Sequence, residues 1–289
     1  MIETLKEPRT KIPGTRMHRI YLDNNFFDQR LAQLNPSDIS AAFEDAGLQW
    51  CFSEELCLEL LDSIKKLDNR KIELMKSWAR LILELLPTSQ IYRNYAHLII
   101  EEVKGETPEV FYSSNRLTEN FGQQVRVLAD GVIESETKRA WTFSKKMKTS
   151  DQDFSLGLET LREQGAKDLP FEDFAFFLLK KLLCDVRTEG RPEERAKRIV
   201  ASLSAFPHIR CFLYAAHKLS YERQGRRHHF DLRHLVYATD VDLFITNDEQ
   251  AASLAKQIFD SKPKVLTQKG LLDRLALVPT PEFGLGVEN

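Results

Sequence analysis

Two aspartates close the most strand-like runs of the chain: Asp23 directly follows "RIYL", and Asp248 follows "LFIT" after one residue. An acid placed there has two common uses. It caps the next helix by accepting bonds from free amides, or it offers hard oxygen ligands to a divalent ion beyond the carboxyl ends of a parallel sheet. Glu59, in "EELCLELLDS", lies beside Leu60 on an apolar stripe, where an unpaired carboxylate is costly. Its bland reading is an exposed or salt-bridged helix residue, while Glu54 and Glu55 suit a helix N-terminus through the dipole. Asp231 opens "DLRHLVYAT" with His234 three residues on and on the same face. Taken alone, the pair reads first as an N-cap and a partly buried histidine. Asp240 and Asp242 flank the next strand and read as turn residues, Asp240 above all.

The elements that must position these acids follow from hydrophobic period and breakers. "HRIYL" (18–22), "LQWCFS" (48–53), "SQIYRNY" (89–95), "VDLFIT" (241–246) and "PKVLT" (263–267) read as short strands, the first as a buried one of the parallel type. Between them, "NPSDISAAFEDAG" reads as a helix capped by Ser37 or Asp38 and stopped by Gly47. "EELCLELLDSIKKL" and "KIELMKSWARLILELL" follow as amphipathic helices, as do "IRCFLYAAHKLSYERQ", "DLRHLVYAT" and "NDEQAASLAKQIF" further on. From about Gly105 to Phe206 helical segments such as "DFAFFLLKKLLCDV" and "PEERAKRIVASL" dominate and no clear strand is present. The predicted organisation is an α/β core with a parallel sheet over 17–104 and 206–275, a large α-helical insertion over 105–205, and a basic N-terminal extension over 1–16.

Composition narrows the function classes. A net charge of −2 gives no global nucleic-acid signal, so a polyanion site must be a local patch. Such patches exist: "YERQGRRHHF" carries Arg223, Arg226 and Arg227 just before Asp231, and "KEPRTKIPGTRMHR" carries Arg16 and Arg19 at the first strand. Phe230 and Tyr221 are candidates for stacking on bases. The four cysteines stand among apolar neighbours without zinc spacing and read as buried thiols. No apolar run approaches the ~18 residues that cross a bilayer, and the polar start lacks a secretory h-region, so a cytoplasmic protein is expected. The first strand is not followed by the glycine-rich turn of a dinucleotide site, nor by the second aspartate of a haloacid-dehalogenase phosphatase; Asn25 stands there.

Together, "YLDNNFF", "CLELL", "DLRHLVYA" and "LFITND" resemble the four acidic motifs of the PIN-domain nucleases. The resemblance implies a parallel α/β fold whose clustered carboxylates, here Asp23, Glu59, Asp231 and Asp248, hold Mg²⁺ or Mn²⁺ and hydrolyse phosphodiester bonds. Asp23 and Asp248 would be direct ligands, with Asp231 and Glu59 completing the shell, Glu55 a rival to Glu59, and Asn24, Thr246 and His234 behind them. The implied partner is single-stranded nucleic acid, RNA before DNA, bound by the basic patches. The helical insertion offers a surface to a protein partner, no membrane is involved, and a homodimer is open. The competing expectation is a PIN-like module that binds nucleic acid or protein without cutting.

Overall fold

The computed structural model describes residues 17–23, 26–27, 31–53, 56, 69–112, 125–126, 129–130, 169–186, 190–221, 229–259 and 261–277. Five strands form one sheet, and every strand pairing in it is parallel. They are β1 (His18–Leu22), β2 (Leu48–Phe52), β3 (Gln90–Ile91), β4 (Leu243–Ile245) and β5 (Lys264–Leu266), in the spatial order β3-β2-β1-β4-β5. The first three strands thus add outward from β1 on one side, and the last two on the other. The direction of winding reverses between β1 and β4.

The described helices are α1 (Pro36–Asp45), α2 (Asn69–Leu85), α3 (Tyr95–Lys104), α4 (Phe171–Val186), α5 (Pro192–Ala201), α6 (Pro207–Tyr221), α7 (His229–Ala238), α8 (Glu249–Ile258) and α9 (Gln268–Arg274). None is long and apolar enough to cross a membrane. Local chemistry sets their ends. In α1 the cap is Asn35, two or three residues before the expected Ser37 or Asp38, because Pro36 is ready-made for the first helical position and Asn35 Oδ1 accepts from Ser37 N. Gly47 does stop it, at φ +64°. β3 is shorter than expected: Asn94 caps α3 through Ala96 N, so "SQIYRNY" turns into a helix at Tyr95.

Strand alternation divides the core. Ile20, Leu22, Trp50, Phe52, Ile91 and Ile245 face one way and pack with α1, α2 and α9. Tyr21, Cys51 and Phe244 face the other way and meet residues of α3, α6, α7 and α8. A third cluster contains no strand residue: Ala175, Leu179 and Leu183 of α4 and Ala196 and Ile199 of α5 close on Ile99, Val103, Ile209 and Leu213 of α3 and α6. α5 and the Leu179–Leu183 part of α4 therefore dock on helices, while Phe174 of α4 is buried in the cluster of Tyr21 and Phe244, and Val125 and Ala129 of the same 105–205 block are buried in the cluster of Ile20 and Trp50. The block does not start helical. Arg93 N donates to Val110 O and Tyr112 N to Ile91 O at 2.9 Å each, so 110–112 runs antiparallel to the chain leaving β3.

Burial pushes the thiols of Cys51 and Cys211 up to about 12, which removes both as nucleophiles near neutral pH. The expectation of buried thiols fails at Cys184, which is exposed because it sits one position round α4 from the inward Leu183. Cys57 lies outside the described residues.

Candidate functional site at the carboxyl ends of the central strands

The winding reverses between β1 and β4, and the carboxyl ends of two such strands are the usual ligand position in an open parallel sheet. The register brings specific residues to it. Leu22 pairs with Ile245, and Asp23 N donates to Ile245 O at 2.9 Å, so the residue after each strand stands beside the other. Those residues are Asp23 and Thr246.

Thr246 Oγ1 donates to Asp23 Oδ2 at 2.7 Å and itself accepts from Asp248 N at 3.0 Å. Asp23 and Thr246 are buried, at 2% and 1% exposure, while Asp248 is half-buried. Asp248 also caps α8: its Oδ1 accepts from Gln250 N at 2.8 Å and from Ala251 N at 3.0 Å. Both cap bonds land on one oxygen, and Oδ2 stays outside the cap. The segment after β1 is held by α9, whose Gln268 donates from Nε2 to Phe26 O at 2.6 Å while its amide donates to Asn247 Oδ1.

His234 reaches the same place from α7. Its Nε2 lies 3.5 Å from Asp23 Oδ1, and its Nδ1 shares a 2.7 Å hydrogen bond with Tyr21 Oη. Tyr21 Oη continues to Ser53 Oγ at 2.8 Å, at the end of β2, and Ser53 Oγ accepts from Leu56 N. Tyr21 and Ser53 were not legible as site residues. A tyrosine inside "HRIYL" reads as core, and its hydroxyl partner on α7 is 213 residues away.

Asp23, Thr246, Asp248 and His234 are thus brought to one end of the sheet. Arg19 is not: it lies at the amino half of β1, with its guanidinium 4.8 Å from the Phe111 ring centroid and its amide donating to Asp242 Oδ2. Glu59, Glu55, Asn24, Arg16, Arg223, Arg226 and Arg227 lie outside the described residues, and only the backbone of Asp231 is described. α7 begins at His229, two residues before Asp231, so Asp231 is inside the first turn instead of opening the helix. Among the described residues no three His, Cys, Asp or Glu side chains are disposed to hold a metal ion.

A second buried polar cluster sits at the opposite, amino end of the strands. His208 places Nδ1 2.7 Å from Glu102 Oε1 and Nε2 2.7 Å from Asp240 Oδ2. Glu102 Oε2 further accepts from Ile209 N at 2.8 Å, which caps α6. Asp240 is therefore more than a turn residue. Burial by itself would lower the His208 pKa, but the hydrogen bonds and charges of Asp240 and Glu102 outweigh it and hold the imidazole at about 9.

No protein-family model, curated protein or solved structure matches the chain.

Proposed function

We propose that the chain is a PIN-like, metal-dependent nuclease that hydrolyses phosphodiester bonds of single-stranded nucleic acid, RNA before DNA. The observation that carries the reading is that Thr246 Oγ1 donates to the Asp23 carboxylate and accepts from the backbone amide of Asp248, which brings the two residues to one end of the sheet at the β1/β4 reversal. Hard carboxylate and hydroxyl oxygens are the donors Mg²⁺ or Mn²⁺ takes, so this set fits such an ion. Asp23 and Asp248, through Oδ2, would hold it, with Glu59 and Asp231 proposed to complete the ligands. When bound, the ion would supply an activated water and neutralise charge on the phosphate.

The chain's own residues do the rest. Thr246 fixes one oxygen of Asp23, and His234 faces the other, so the carboxylate is oriented before any ligand arrives. Burial of Asp23 keeps bulk water from competing for it. Arg223, Arg226 and Arg227, which precede Asp231 in sequence, are proposed to bind the nucleic-acid backbone.

The decisive experiment incubates the full chain with single-stranded RNA and DNA in Mn²⁺ or Mg²⁺ and in EDTA. Cleavage is expected only with the metal, and the Asp23→Asn variant is expected to lose at least about 100-fold of it while remaining folded. Unchanged cleavage in chelator sinks the reading. A second reading, a PIN-like module that binds without cutting, is favoured by one observation: Asp248 already serves α8 as its N-cap, a sufficient structural reason for an aspartate there.

A further inference from the structure

We infer that Tyr21 and His234, with Ser53 behind them, are positioning residues that set the orientation of the Asp23 carboxylate for a divalent cation; this rests on the nuclease reading above. Five buried polar side chains form one connected run across three strand ends and a helix. Ser53 Oγ lies 2.8 Å from Tyr21 Oη, Tyr21 Oη 2.7 Å from His234 Nδ1, His234 Nε2 3.5 Å from Asp23 Oδ1, and Thr246 Oγ1 2.7 Å from Asp23 Oδ2. All five are at most 2% exposed, so water does not loosen the run. The two carboxylate oxygens are approached by different elements, α7 on one side and the end of β4 on the other. That constrains the orientation of a short side chain from two sides.

The run has a direction. A lone pair on His234 Nε2 would face a carboxylate oxygen, so the proton belongs on Nε2, whether the ring is neutral or charged. In the neutral ring Nδ1 then accepts from Tyr21, and Tyr21 Oη accepts from Ser53, whose own oxygen already accepts from Leu56 N. Tyr21 cannot swing away. Its ring lies 5.7 Å from that of Tyr237, 5.8 Å from Tyr92 and 6.2 Å from Phe244. An apolar set of the same volume would be cheaper to bury, and this polar run stands at the carboxyl ends of β1 and β4, between which the winding reverses.

The test uses the full chain without metal and then titrates Mn²⁺. Nitrogen NMR of the His234 imidazole in the wild type should show the proton on Nε2. Calorimetry should show Tyr21→Phe and His234→Leu binding Mn²⁺ about 10- to 100-fold more weakly than wild type, with His234→Gln, whose amide offers an N–H in place of Nε2–H but nothing to Tyr21 in place of Nδ1, falling between His234→Leu and wild type. A His234 protonated on Nδ1 alone overturns the inference. So does Mn²⁺ binding by Tyr21→Phe and His234→Leu equal to wild type, which leaves the nuclease reading standing. A wild type that takes up no Mn²⁺ brings down the nuclease reading and the inference with it. If His234→Leu does not fold, as circular dichroism will show, Tyr21→Phe and the wild-type NMR decide.

Discussion

At the scale of single residues, Asp248 carries two assignments that substitution can separate. Asparagine caps helices as well as aspartate does, so Asp248→Asn should hold stability within about 0.5 kcal/mol, whereas Asp248→Ala should cost about 1 kcal/mol by leaving Gln250 N and Ala251 N without their acceptor. Metal-dependent cleavage should fall in both variants. Cleavage surviving in Asp248→Asn would reduce Asp248 to a cap. His208 gives a prediction with a definite sign. Its pKa is raised from 6.5 to about 9 in the folded chain, so its contribution to stability is complete below pH 6.5 and is lost as pH rises through 9. At about 1.4 kcal/mol per pKa unit the loss is roughly 3 kcal/mol. Urea unfolding between pH 6 and 10 should show this decline in the wild type and a much flatter curve in His208→Gln. The sequence exposed Asp23 and Asp248 because each ends an apolar run. It did not expose the ionic role of His208, whose partners Glu102 and Asp240 come from segments that only the fold brings together.

At the scale of elements, the legible features were those written locally. β1, β2 and β4 could be read from short apolar runs, and the end of α1 from a glycine. Gly47 adopts φ +64° with open space where a Cβ would go, so Gly47→Ala should cost about 1 kcal/mol from the backbone alone, measurable as a lower urea midpoint with an unchanged slope. A larger loss would mean that the turn into β2 also moves. α3 was hidden for a physical reason. "QIYRNYAHLII" is apolar enough for either a strand or a helix, and the choice is made by the Asn94 cap and the Gly105 stop at φ +82°. The cap of α1 was misplaced because Asn35, Ser37 and Asp38 are all good caps, and only the proline between them selects Asn35.

At the scale of the whole molecule, the sheet and the outer helices make separable contributions. The parallel pattern was legible from strands alternating with helices. The seating of α4 and α5 was not, since an amphipathic helix announces that it has an apolar face without saying what covers it. Leu179 is buried in the outer cluster and touches no strand residue of that cluster, so Leu179→Ala should cost about 2–5 kcal/mol and leave Mn²⁺ affinity unchanged. A matching loss of affinity would show the outer helices coupled to the carboxyl ends of β1 and β4. The tie between Glu102 and His208 has a consequence for how this chain can vary. It joins residues 106 apart in sequence, at the point where the chain leaves α3 and comes back as α6. The entropy of closing such an excursion grows only with the logarithm of its length, about 0.6 kcal/mol for each doubling. With departure and return pinned together, the entropy of closing that excursion depends only weakly on how many residues it holds, and the pairing of the five strands is set apart from that number.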